Sequence, residues 1–138
     1  MIRYINVKSR IRNEFVDITD KVQEMVKEER VASGICYIYV PHTTAGVMIN
    51  EGADTSVQRD IQATLTKLVP FESDYSHREG NADAHIKSAL VGVSKVVFID
   101  DGKLLLGTWQ AIYFCEFDGP RHRRVAVKII KSLTSQRE

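Results

Sequence analysis

An α+β domain is predicted by three observations. The chain has 138 residues, of which 43% are hydrophobic and 27% charged, enough apolar material for one core and not for two. From Ser94 onward, strand-forming runs are separated by two tight turns, Asp100-Asp-Gly-Lys103 and Asp118-Gly-Pro-Arg121. Upstream, two segments space their apolar residues at helical intervals instead. Long antiparallel strands with two or three packed helices give that class, and residues 1–138 are read as one domain.

Residues 2–8 alternate loosely and are rich in strand formers, so they read as a strand. From Thr19 to Arg30 the period changes. Val22, Met25 and Val26 fall at i, i+3 and i+4 among Lys and Glu, an amphipathic helix for which Asp20 with Gln23 offers a cap. Gly34–Val40 is continuously apolar and reads as a buried strand ending at Pro41; Gly46–Asn50 reads as another. Asp54 is placed to cap a helix carrying Val57, Ile61, Leu65 and Leu68 on one stripe, which Pro70 ends. Residues 71–82 form the most polar loop. A short helix follows, with Ala84, Ile86, Leu90 and Val91 apolar and Gly92 at its end. Ser94–Ile99, Leu104–Phe117 and Arg124–Leu133 read as strands, the second one long, with Gly107 marking a bulge. It is apolar on both alternating faces, so one face needs a second cover, and a subunit contact is the expected one.

Nineteen basic and eighteen acidic residues give +1 with neutral His, so no global attraction to nucleic acid or an anionic membrane is expected. No apolar run reaches the ~18 residues of a membrane span. The start lacks a signal-peptide core, and Cys36 and Cys115 both sit in apolar runs, which predicts packing roles and a cytoplasmic protein. A P-loop, a dinucleotide glycine fingerprint and a Gly-x-Ser-x-Gly elbow are all lacking.

The polar residues gather at element ends. His42 follows a strand directly, Asn50, Glu51 and Asp54 lie between a strand and a helix start, and His77, Asn81, Asp83 and His85 occupy the polar loop and the next helix start. Imidazole suits zinc and similar ions, and three histidines with an open position make a catalytic type of site. The same placement also allows His42 and His85 simply to cap strand and helix ends, with His77 in solvent. Glu51, Asp54, Asp60 and Asp83 are candidate bases or metal ligands, with helix capping as the alternative for Asp54 and Asp83 and a solvent-facing place in the helix for Asp60. Arg121 follows a rigid Asp-Gly-Pro turn, where a guanidinium can take a phosphate bidentately.

Five motifs occur in order: His42-Thr43-Thr44-Ala45; Asn50-Glu51 with Asp54; Tyr75-x-His77-x-x-x-Asn81-x-x-x-His85; Gly107-Thr-Trp-Gln110; and Asp118-Gly-Pro-Arg121. Together they resemble the YjbQ family, also described as secondary thiamine-phosphate synthase, over about residues 5–130. The resemblance implies a β-sandwich-like core and a homotrimer. It implies a divalent metal, zinc or magnesium, at His42, His77 and His85. It further implies the joining of a hydroxymethylpyrimidine diphosphate to a thiazole phosphate with release of pyrophosphate. On that expectation Arg121 holds a phosphate, Glu51 or Asp54 meets the aminopyrimidine, and Thr43, Thr44, Asn50, Asn81, Gln110 and Asp118 bind and orient substrate. A metal-dependent phosphatase, and a non-catalytic module for a small phosphorylated ligand, are the alternatives. Nucleic acid and membranes are not expected partners.

Overall fold

The computed structural model describes residues 1–133. Its order is β1 (Ile2–Lys8), β2 (Glu14–Asp17), α1 (Thr19–Glu29), β3 (Gly34–Tyr39), β4 (Ala45–Glu51), α2 (Thr55–Leu68), α3 (Ala82–Val91), β5 (Ser94–Asp100), β6 (Lys103–Leu104), β7 (Gln110–Glu116) and β8 (His122–Lys131). The strands form a five-stranded sheet, β1-β8-β3-β5-β6, and a three-stranded sheet, β2-β7-β4. All pairings are antiparallel. The class is therefore α+β, as expected.

The main core lies between the sheets. Ile5, Cys36, Ile38, Val97, Val125 and Val127 of the larger sheet meet Val47, Ile112 and Phe114 of the smaller one, with Val22 and Val26 of α1 among them. Packing of this kind is where most of the apolar stabilisation resides. A second cluster lies beyond the smaller sheet. There Ala111, Tyr113, Cys115 and Phe117 meet Ala84, with half-buried Leu65 of α2 and Val91 of α3 against them.

That second cluster corrects the reading of Leu104–Phe117. The segment is two strands in different sheets, β6 and β7, joined by a tight 107–110 turn. Gln110 closes the turn, its N–H donating to the Gly107 carbonyl at 3.0 Å and its Oε1 accepting from the Gly107 N–H at 2.8 Å. β7 is indeed buried on both faces after Gln110, but the chain's own helices cover the second one. The argument for a subunit contact at this segment thus falls away.

The bare apolar face is elsewhere. Gly34–Val40 was expected to be buried throughout, yet β3 alternates, with Cys36 and Ile38 inward and Tyr37 and Tyr39 exposed. Register places Val96 of β5 opposite Tyr37, Phe98 opposite Ile35, and Ile130 of β8 on the other side of Ile35. Tyr4 and Ile2 of β1 extend the same face, and all of these except half-buried Ile35 are exposed. Antiparallel sheets that face water normally turn polar residues outward.

Several local expectations differ in detail. β2 had no sequence signal strong enough to separate it from the preceding turn. Asp17, not Asp20, serves the start of α1, its Oδ1 accepting from the Thr19 N–H at 2.9 Å and from its hydroxyl at 2.6 Å. Gln23 instead ties α1 to the β5–β6 turn, donating to the Gly102 carbonyl and accepting from the Leu104 N–H. Asp54 does cap α2, accepting from the Ser56 N–H at 2.9 Å. α3 shows its expected apolar residues Ile86 and Leu90 to solvent and buries Asp83, Lys87 and Ser88. Helical spacing identified that helix and part of its inward face: Ala84 and half-buried Val91 pack on the second cluster, and the ion pairs of Asp83 and Lys87 dock the rest.

Two glycines set the position of α3. Gly92 ends it at φ 94° and ψ 161°, backbone that is open essentially to glycine alone. Its carbonyl accepts from the Val47 N–H at 3.0 Å, and a Cβ on Gly46 would stand 2.6 Å from that oxygen. The end of α3 therefore lies directly against β4, and the cavity described next opens beside it.

Candidate functional site

Where β3 stops, the chain turns at Pro41 and a wide cavity begins. It has a volume of about 830 Å³, and its walls include Tyr39, His42, Thr43, His85, Ser88 and Arg123. Two of the three predicted histidines thus meet in one place. His42 comes from the β3–β4 loop and His85 from the first turns of α3.

The buried charge of this wall is Arg123, which is 7% exposed. Its Nε donates to Glu116 Oε1 at 2.9 Å and its Nη2 to Glu116 Oε2 at 2.5 Å. Nη2 also donates to Thr44 Oγ1 at 2.8 Å. Glu116 is fully buried and accepts further from the Ser9 hydroxyl at 2.7 Å and the Asp118 N–H at 3.0 Å. Burial alone would raise its carboxyl; the hydrogen bonds from Arg123, Ser9 and Asp118 outweigh burial and hold it below the ordinary glutamate value. A paired and fully hydrogen-bonded carboxylate can remain ionised inside a protein.

His42 occupies the place a longer β3 would fill. Its Nε2 lies 3.0 Å from the Arg124 N–H and 3.2 Å from the Arg124 carbonyl. Partial burial and the Arg123 charge lower its pKa, so the ring favours its neutral form. His85 faces His77 edge-on, ring centroids 5.2 Å apart, around a smaller cavity of about 370 Å³ that also includes Tyr75 and Ile86. His77 Nε2 is 3.4 Å from Glu79 Oε1. His85 belongs to both cavities.

The remaining predicted residues fall into two other groups. Glu51 and Asp54 line a separate cavity of about 520 Å³ with Trp109. There Glu51 Oε2 accepts from the Ala53 N–H at 2.9 Å, and Asn50 Oδ1 accepts from the Glu51 N–H at 2.7 Å. Asn81, Asp118 and Arg121 form an ionic cluster at the start of α3. Asp118 Oδ2 accepts from Asn81 Nδ2 at 2.9 Å and Arg121 Nη2 at 3.0 Å, and Arg12 bridges Asp118 and Asp83. Arg121 is thereby committed to its own turn, donating from Nε to the Asp118 carbonyl as well. Lys87, buried beside Asp83 and Asn13, completes the docking of α3. Cys36 and Cys115 are free; burial pushes the Cys36 thiol up to about 11 and raises Cys115 too, so neither is an activated nucleophile.

The sequence reading missed Arg123, Glu116, Ser88 and Ser9. Two signals pointed to the pair. The alternation Val125, Val127 extended back one step puts residue 123 on the inward face of β8, and Glu116 stands alone among apolar neighbours in β7.

The implied metal can be tested against these donors. Among the described residues no group of three or more His, Cys, Asp or Glu side chains is arranged to hold a metal ion. His42 Nε2 is engaged by Arg124, His77 and His85 meet ring edge to ring face, and a buried guanidinium shares the wall. An ion at these histidines would have to take His42 through Nδ1 or displace its Arg124 contact.

These features define a two-sheet α+β domain whose principal cavity pairs two histidines with a buried arginine. The chain belongs to the YjbQ/UPF0047 family. The family profile described as "UPF0047 protein YjbQ-like" matches residues 3–132. A UPF0047 protein of Methanocaldococcus jannaschii is 54% identical over 130 residues, 94% of each chain, and the UPF0047 protein YugU of Bacillus subtilis is 45% identical over 131, covering 94% of this chain and 99% of its own. A solved structure of a family member from Clostridium acetobutylicum superposes with a TM-score of 0.91 at 51% identity, covering 93% of this chain and 99% of that one. No helix of the described residues is long and apolar enough to cross a membrane.

Proposed function

We propose that the chain joins a hydroxymethylpyrimidine diphosphate to a thiazole phosphate, releasing pyrophosphate, in the cavity between β3 and α3. The observation that carries this reading is the meeting of His42 and His85 with Arg123, a cation held in place by Glu116, in one cavity of about 830 Å³. In the reaction the methylene C–O bond breaks and its electron pair leaves with pyrophosphate. The thiazole nitrogen then forms the new C–N bond. That chemistry depends on neutralising leaving-group charge more than on a strong base. A pre-positioned guanidinium supplies that charge without reorganisation. Arg123 therefore takes the phosphate role expected of Arg121, and no step requires a metal.

The reading includes assembly as a homotrimer in the cytoplasm. Its proposed contact is the bare outer face of the five-stranded sheet. Tyr39 belongs both to that face and to the cavity wall, so a neighbouring copy seated there would border the cavity mouth.

The test is incubation of the protein with both precursors and chromatographic detection of thiamine phosphate. Product formation that drops at least tenfold in Arg123→Lys is expected. No product from the parent protein, with both precursors intact, would contradict the synthase reading.

A further inference from the structure

We infer that the principal cavity carries an oxyanion subsite, formed by the Nη1 edge of Arg123 and the Nδ1–H of His42, that takes a phosphate or pyrophosphate group without any metal ion. The inference deepens the reading above by assigning the donors, but it concerns binding and not turnover.

Arg123 supplies the first donors. Its Nε and Nη2 are spent on Glu116 and Thr44, whereas Nη1 makes no hydrogen bond among the described residues. It is also absent from the buried side-chain atoms without partners, which are Arg12 Nε, Gln62 Oε1 and Asn81 Oδ1. An arginine more than nine-tenths buried, lining the cavity with its Nη1 amino group unused and unsealed, is a ready charge-assisted donor to a tetrahedral oxyanion. Glu116 fixes the guanidinium through Nε and Nη2 and leaves Nη1 unused.

His42 supplies the second donor, in the tautomer that serves the nearer backbone group of Arg124. Beyond Ala126, β8 has no partner residue on β3, which ends at Tyr39. The Arg124 N–H and carbonyl there both face His42 Nε2, at 3.0 and 3.2 Å. One ring nitrogen can serve only one of them. The N–H contact is the shorter of the two, and Nε2 is assigned to it. The arrangement that serves the N–H puts the lone pair on Nε2 and the proton on Nδ1. Nδ1 has no partner among the described residues, so it is a free donor on a ring that lines the cavity. A protonated Nδ1 and an occupied Nε2 leave His42 no lone pair for a metal. The same atoms that disfavour a cation favour an anion.

Ser88 fits the scheme as a spectator. Its hydroxyl donates to the Ala45 carbonyl at 2.6 Å, which fixes the α3 wall beside the two donors.

The experiment is titration of the full-length protein with inorganic pyrophosphate in EDTA, by calorimetry, with histidine ring ¹⁵N spectra of the parent protein recorded alongside. Binding that survives chelation is expected, with the His42 signals in the Nδ1–H pattern and shifting on addition of pyrophosphate. Arg123→Lys keeps a cation for Glu116 but loses the Nη1 donors, and it is expected to bind pyrophosphate about tenfold or more weakly. The ring spectra need no variant, so they decide the matter even if that substitution disturbs folding. Binding abolished by EDTA and restored by zinc, or an Nε2–H pattern at His42, would overturn the proposal. Intact pyrophosphate binding without thiamine phosphate formation would reject the synthase reading and leave the subsite standing.

Discussion

Glu116→Ala is expected to destabilise the protein by about 3–5 kcal/mol, the cost of leaving a buried charge without its partner. The charge stranded would be Arg123, which meets Glu116 through two hydrogen bonds and lies beside the main core. Ser9 and the Asp118 N–H would lose their acceptor at the same time. Glu116→Gln keeps the shape and one acceptor and is expected to lose less. Urea denaturation monitored by circular dichroism reads both. The pair also predicts a direction with pH. Glu116 titrates lower in the folded chain than in the unfolded one. Its stabilisation is therefore complete above the unfolded glutamate pKa and is lost as pH falls through the depressed folded value. A Glu116→Ala protein as stable as its parent would show that the pair is not the anchor described.

The second large effect concerns assembly. Phe98→Glu combined with Tyr37→Glu is expected to convert a trimer into monomers of 15.6 kDa. Both side chains stand exposed on the outer face of the five-stranded sheet with Tyr4, Tyr39, Val96 and Ile130. Aromatic side chains present roughly 150–250 Å² each. About half of that over the four aromatics of this face is roughly 300–500 Å², with Val96, Ile130 and Ile2 adding to it, against the ~800 Å² per partner of a standard interface. Two carboxylates buried there, with Lys128 opposite Tyr37 as the basic partner in register, would break association. Light scattering at micromolar concentration distinguishes the outcomes. A parent protein that is already monomeric, or a double variant that remains trimeric, would contradict this placement of the contact.

Much of the fold was legible because its elements obey simple periods. Val22, Met25 and Val26 marked α1, Pro41 and Pro70 marked ends, and the Asp100–Lys103 turn joined β5 to β6. What was not legible depended on contacts distant in sequence. Nothing local tells that Leu104 and Gln110 enter different sheets, because both halves of the segment are equally apolar. The inward face of α3 was legible only in part because Asp83 and Lys87 are buried by Arg12 and Asn13, some seventy residues earlier. The site divides in the same way. His42 and His85 were found by their places at element ends, and they do share a cavity. Arg121 and Arg123 stand two residues apart and look alike in sequence. Arg121 lies before β8 begins and is held exposed in its own turn by Asp118, whereas Arg123 lies inside the strand, on the inward face with Val125 and Val127, and is buried against Glu116.

The most direct measurement of the central claim is a crystal structure of the protein with thiamine phosphate. The account predicts the phosphate group in the cavity between β3 and α3, in contact with Arg123 Nη1 and His42 Nδ1. A phosphate group held by Arg121 instead, or a ligand seated against Trp109, Glu51 and Asp54 with the principal cavity empty, would contradict it.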